Sequence, residues 1–214
     1  MIRRGLALLF VLAASLQAAP IEHHLVDGAT IQPPLLPEIR YATRYNFTGE
    51  VLYPAAKFFV HRDTAAALAA VQADLAKEGL GLEIYDGYRP LSVQQKMWDL
   101  VHDERYVSNP AVNRGRHTRG TAVDVTLVDK MGNALDMPSS FDDFTEAAHR
   151  NSPAMTPLQR ANMRKLEDVM THHGFEPYPF EWWHFDLKNW KTYPVLDISF
   201  DALGRGEATT EPVP

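Results

Sequence analysis

The sequence contains no cysteine. That excludes disulfides, thiolate zinc sites, iron–sulfur clusters and a cysteine nucleophile. It has no excess of basic residues either: 21 Lys and Arg stand against 27 Asp and Glu, a net charge of −6. A general nucleic-acid binder carries a basic footprint, and this chain does not. Internal repeats are also lacking. What remains, with 45% hydrophobic and 22% charged residues in 214, is an ordinary globular composition with length for one domain and a sizeable core. Any bound metal must be held by histidines, of which there are nine, and carboxylates.

The two ends differ from the middle. Arg3 and Arg4 precede a short apolar stretch from Leu6 to Leu16, and the small residues Ala18 and Ala19 follow. This pattern predicts a secretory signal peptide over residues 1–19, with an uncleaved anchor as the alternative. Losing Arg3 and Arg4 moves the net charge from −6 to −8. The expected location is outside the cytoplasm of a bacterium, in a periplasm, with no stable membrane association after cleavage. Residues 201–214 are rich in Gly, Glu, Thr and Pro and predict a disordered tail, leaving 20–200 as one folded unit.

Helical spacing predicts a helix capped by Asp63 or Thr64 and stopped at Gly79, with Leu68, Val71 and Leu75 inward. A second, capped by Ser92, turns Val93, Met97, Leu100 and Val101 to one face. A third opens at Thr156-Pro157, buries Leu158, Met163, Leu166, Val169 and Met170, and ends at Gly174. Leu82–Tyr85, Ala122–Leu127 and Phe185–Leu187 read as strands, and Asp86 to Pro90 as a turn. Helices and strands mix without regular alternation. The expected fold class is α+β, a single domain with a mainly antiparallel sheet flanked by helices.

Two clusters carry chemistry. Asp124 lies inside Val123-Asp124-Val125, and aspartate is a poor strand residue. Buried there, it needs a metal ion, a buried arginine or a set of backbone donors. Seven residues upstream, His117 sits between Gly115 and Gly120. The second cluster is Glu181-Trp182-Trp183-His184, where Glu and His three apart share a face on one helical turn. Alone, either histidine is more often structural. Together, His117, Asp124 and His184 offer three ligands, and Glu181 a spare carboxylate able to take a water proton. His23 and His24 read as solvated, His172 and His173 as closing a helix. His61, His102 and His149 have no ligand-like neighbours in the sequence.

The His-x6-Asp pattern followed by Glu-x-Trp-His resembles the zinc D-Ala-D-Ala metallopeptidases, and within them the vancomycin-resistance-type D-alanyl-D-alanine dipeptidases. The resemblance runs from about Arg40 to Pro194. It includes Arg40-Tyr41-Ala42-Thr43, Asp86-Gly87-Tyr88-Arg89-Pro90, Arg116 to Asp124, Ser140-Phe141-Asp142, and Gly174-Phe175-Glu176 leading into Glu181 to His184. It implies one zinc per chain in a cleft, with His117, Asp124 and His184 as ligands and Glu181 as catalytic base. It further implies Arg89 as the stabiliser of the oxyanion, and Tyr41 and Asp142 as holders of the substrate amino terminus. The small-molecule partner is then a D-alanyl-D-alanine dipeptide, hydrolysed to two D-alanines. One departure stands out: Gly115 occupies a position where the family commonly has serine, which removes any substrate contact from that hydroxyl.

The rival readings are a D,D-carboxypeptidase acting on peptidoglycan stems, a non-catalytic zinc-bearing wall-binding module, and a two-His-one-carboxylate iron oxygenase. Glu181 and Arg89 argue against the second, and Glu181 against the third. The expected role is cell-wall peptide turnover, with recovery of D-Ala. The sequence leaves the oligomeric state open.

Overall fold

The computed structural model describes residues 23–205. The elements in chain order are β1 (Leu25–Asp27), β2 (Leu36–Pro37), β3 (Phe59–His61), α1 (Arg62–Lys77), β4 (Leu80–Asp86), α2 (Leu91–Leu100), β5 (Ala122–Asp129), α3 (Pro157–His172), β6 (Phe175–Pro177), β7 (His184–Leu187) and α4 (Phe200–Arg205). A five-stranded sheet has the order β2-β4-β5-β7-β6. Only β2–β4 is parallel; the other three pairings are antiparallel. A separate ribbon joins β1 to β3. The α+β, mainly antiparallel expectation holds. Among the described residues, no helix is long and apolar enough to cross a membrane.

The register sorts the sheet into two chemical faces. Residues directly opposite on neighbouring strands point the same way, and the side alternates along each strand. Ile84 pairs with Val125, Leu82 with Leu127, Val123 with Phe185 and Phe175 with Leu187, which makes one face apolar. Helices α1 and α3 pack on the sheet and on each other, and Leu68, Val71, Leu75, Met163, Leu166 and Met170 share the core with that face. The other face carries Asp124 opposite His184 on one side and Asp86 on the other. A register shift between Ile84 and Asp86 brings Asp86, rather than Tyr85, opposite Asp124.

Several local details differ from expectation. Helix α1 starts at Arg62 because β3 runs straight into it; the cap is His61, whose Nδ1 accepts from Asp63 N at 3.2 Å, while Thr64 lies inside and donates to Gly120 O at 3.0 Å. Helix α2 starts at Leu91 after Pro90, and Ser92 instead binds Asp197. Leu100, at the edge of the row formed by Val93, Gln94 and Met97, is exposed. Leu158 is exposed too, since five residues before Met163 places it about 140° around the helix from the buried row. His23 and His24 are half-buried rather than solvated: His23 Nδ1 accepts from Leu25 N at 2.9 Å, and the His24 ring meets His61 edge-on at 5.6 Å. Residues 201–205, expected in a tail, belong to α4, whose Phe200 is buried against Tyr53 and Phe59. The segment 1–19 and residues 206–214 lie outside the described residues.

Thr156 opens α3 with a full capping box: its side chain accepts from Gln159 N at 3.2 Å, and Gln159 Oε1 accepts from Thr156 N at 3.0 Å. Thr156→Ala is expected to lower unfolding free energy by about 1 kcal/mol, read from the urea midpoint at unchanged slope.

Candidate active site

The polar face of the sheet forms the floor of a cleft with about 490 Å³ of empty space, part of it open to solvent. All seven residues singled out in the sequence line it: Tyr41, Arg89, His117, Asp124, Asp142, Glu181 and His184.

Each is set by its element. Asp124 projects from the middle strand β5, and His184 is the first residue of β7 beside it. Glu181 reaches the site from a turn, not a helix: His184 N donates to Glu181 O at 3.4 Å just before the strand begins. His117 sits in a short 3-10 turn ahead of β5. That turn closes at Gly120, whose φ of +69° suits glycine, and a Cβ there would lie 2.5 Å from Leu25 Cδ2.

Three donor atoms converge. His117 Nε2 lies 3.2 Å from His184 Nδ1, His184 Nδ1 lies 3.0 Å from Asp124 Oδ1, and His117 Nε2 lies 3.4 Å from Asp124 Oδ1. A tetrahedral zinc with bonds of ~2.0–2.1 Å has ligand–ligand edges of about 3.3–3.4 Å. The outer partners fix the tautomers. His117 Nδ1 faces Gly87 O at 2.8 Å, and His184 Nε2 faces Asp186 Oδ1 at 3.1 Å. Both partners only accept, so each outer nitrogen carries a proton. Two lone pairs and a carboxylate oxygen then meet at one point, an arrangement that calls for a cation. A proton on His184 Nδ1 meets the need in part. Burial opposes the charge, but the Asp186 and Asp124 carboxylates overcome it and push the imidazole up to about 10. The donor set fits a divalent metal.

The remaining charges are held with care. Asp86 is fully buried and accepts from Tyr53 OH at 2.8 Å, Gly87 N at 2.9 Å, and Arg89 Nε and Nη2 at 3.1 and 2.8 Å. Arg89 Nη1 donates to Gln94 Oε1 at 2.8 Å. Three of the five guanidinium N–H groups are thus committed, leaving two for a ligand. Burial opposes the charge on Arg89, but Asp86 more than offsets it, so Arg89 stays ionised. Glu181 Oε2 is 3.8 Å from His184 Nδ1, and burial pushes its carboxyl well up against the pull of His184. Asp142 accepts from Tyr41 OH at 3.0 Å and Phe47 N at 3.2 Å, yet burial outweighs these bonds and takes it to about 7.

Comparison with known proteins agrees with this geometry. A family model described as D-ala-D-ala dipeptidase matches residues 21–199. The chain belongs to the D-Ala-D-Ala dipeptidase family. It is therefore an enzyme, a peptidase. The D-alanyl-D-alanine dipeptidase of Escherichia coli K12 is 40% identical over 179 residues, 84% of this chain and 92% of that one. The Enterococcus faecalis protein of the same name is 31% identical over 183 residues, covering 76% and 90%. Among solved structures, the LdcB LD-carboxypeptidase matches 80% of this chain and 72% of its own at 18% identity, with a TM-score of 0.44.

Residues that the motifs do not mark also meet at the cleft. Asp186 holds His184, and its signal was the His-x-Asp alternation on one strand face. Arg116, Gln94, Tyr106 and Tyr178 line the cleft as well. Among the described residues, one other group has metal-ligand spacing: Asp74, His172 and His173. Lys77 already meets the Asp74 charge at 2.6 Å, and His173 donates to the same carboxylate. The family serine position is explained locally: Gly115 has φ +81°, and a Cβ there would lie 3.2 Å from Thr118 Cγ2 and 3.3 Å from Gln94. Gly115→Ser is expected to cost about 1–2 kcal/mol of stability in urea denaturation, without lowering KM.

Proposed function

We propose that His117, Asp124 and His184 hold one zinc ion per chain and that the cleft hydrolyses free D-alanyl-D-alanine to two D-alanines. The observation that carries this reading is the donor triangle with edges of 3.0, 3.2 and 3.4 Å beside a buried carboxylate that is not one of its corners. When bound, zinc supplies a Lewis acid that polarises the peptide carbonyl and acidifies a water. Glu181 Oε2 takes the water proton and passes it to the leaving amine; its raised proton affinity suits the first task. The two uncommitted N–H groups of Arg89 face the charge that develops on the carbonyl oxygen. Asp86 and Gln94 keep that fork from turning. Asp142, held by Tyr41 and Phe47, offers a negative charge to the substrate ammonium.

The amino-terminal contact separates this reading from a carboxypeptidase acting on longer stems. An N-acylated substrate brings an uncharged amide to Asp142 and leaves it buried without a counter-charge. The deciding experiment compares kcat/KM for free and N-acetylated D-Ala-D-Ala. We expect discrimination of about a hundredfold or more, reduced in Asp142→Asn; equal rates for the two substrates in the wild type would overturn the dipeptidase reading in favour of the carboxypeptidase.

Two further outcomes follow from the site. Glu181→Gln should retain the metal and lose turnover by several orders of magnitude, because the amide is nearly isosteric but takes no proton; activity within tenfold of wild type would move the base elsewhere. His184→Ala should lose metal and activity together.

The pH dependence has a definite sign. Asp142 titrates at about 7 in the fold, above its unfolded value, so its protonated form contributes stability at low pH that is lost as pH rises through 7. Substrate binding goes the other way, since only the ionised form pairs with an ammonium. Measured 1/KM should therefore rise with pH through about 7, and Asp142→Asn should flatten that limb.

We also propose that the enzyme is exported and recovers D-Ala from wall turnover, a reading supported by the basic and apolar pattern of residues 3–19. Growth on D-Ala-D-Ala as nitrogen source with and without the gene tests it; equal growth sinks it.

A further inference from the structure

We infer that Asp186 is a positioning residue that decides which nitrogen of His184 carries the proton, and that Arg116 holds Asp186 in that role. This rests on the proposed metal ligands. His184 Nδ1 lies 3.0 Å from Asp124 Oδ1, and His184 Nε2 lies 3.1 Å from Asp186 Oδ1. A metal on His184 leaves the ring a single proton, and both carboxylates are pure acceptors when ionised, so they compete for it. If Asp124 wins, Nδ1–H points into the donor triangle and blocks a metal there. If Asp186 wins, Nδ1 presents its lone pair. The outcome depends on how firmly Asp186 is placed.

The structure places it firmly. Residues 184 and 186 share a face of β7, which brings the carboxylate beside the ring without strain. Asp186 is only 4% exposed. Its two oxygens have separate partners: Oδ1 takes His184, and Oδ2 takes Arg116 Nη1 at 2.7 Å. Arg116 in turn lies over two aromatic rings, its guanidinium 4.1 Å from the Tyr178 centroid and 5.3 Å from that of Trp190. A planar cation stacked in this way keeps its fork fixed. Tyr178 is itself tied to the ligand strand, since its N–H donates to His184 O at 3.1 Å. Arg116, Tyr178, Asp186 and His184 form one continuous support on the outer side of the donor triangle. Asp186→Asn breaks it in a specific way. Arg116 and His184 Nε2–H both need an acceptor, and an amide has one oxygen. With that oxygen on Arg116, the amide donates to Nε2 and the ring proton moves to Nδ1.

The test is metal affinity of the purified full chain, by competition with a chelator, together with long-range 1H–15N spectra of the metal-free histidines. Asp186→Asn should weaken zinc binding about 10–100-fold, in the range of lost outer-sphere partners, and should move His184 towards the Nδ1–H form. A merely structural role would shift the unfolding midpoint but not that tautomer. Arg116→Met, which leaves β7 untouched, should weaken binding at least threefold and keeps the test open should Asp186→Asn fail to fold. His184→Ala is the control for the underlying reading. If His184→Ala keeps stoichiometric zinc, the ligand assignment fails. If it loses zinc while Asp186→Asn and Arg116→Met stay within threefold of wild type, or if the Asp186→Asn tautomer is unchanged, this inference alone is overturned.

Discussion

Asp86, Asp124 and His184 face one another across three neighbouring strands, and a slip of one residue in either pairing would turn them into the apolar core. The register is held from the other side. Ile84, Val125, Val123 and Phe185 are fully buried, and a slip would expose them to the polar cleft just as it buried the carboxylates. Apolar packing under the sheet therefore aims the chemistry above it. The bulge after Ile84 completes the row, because without it Tyr85 and not Asp86 would stand beside Asp124.

That row concentrates negative charge. Asp86, Asp124, Asp186 and Glu181 are all buried around the same point. Burial disfavours each ion by several kcal/mol unless it is met by a partner. Asp86 is met by Arg89, and Asp186 by Arg116. Among the described residues, Asp124 and Glu181 have no arginine paired to them: His117 and His184 hold the Asp124 carboxyl down against its burial, whereas Glu181 is pushed up. Arginines thus balance the row except at the triangle, where a proton on His184 stands in for a cation.

Much of this was readable in the residues. Aspartate in a β-branched strand marked Asp124, and all seven residues picked from the motifs reach one cleft. The long helices were readable because Leu68, Val71 and Leu75, or Met163, Leu166 and Met170, repeat at helical spacing. Strands β1, β2, β3 and β6 were not, being only two or three residues long and too short to show alternation. The caps of α1 and α2 escaped because long-range bonds, from Thr64 to Gly120 and Ser92 to Asp197, claimed the expected hydroxyls. Arg116 and Asp186 escaped for a different reason: 70 residues separate them, and only the pairing of β5 with β7 brings them together.

The Asp142 end of the cleft shows the same logic with different parts. Asp142 adopts φ +60°, a conformation that costs a non-glycine residue about 1–3 kcal/mol. The loop around it is held by an aromatic cluster: Phe141 packs on Tyr41, Tyr85 and Trp183, and Phe144 on Phe47 and Tyr106. Tyr41 sits between the two halves of the site, its hydroxyl on Asp142 and its ring 5.2 Å from the Arg89 guanidinium. A change of packing at Tyr41 would therefore disturb Asp142 and Arg89 at once. The same aromatic wall fixes the distance between Asp142 and the donor triangle, so the two ends of the cleft are spaced by packed rings rather than by a flexible loop.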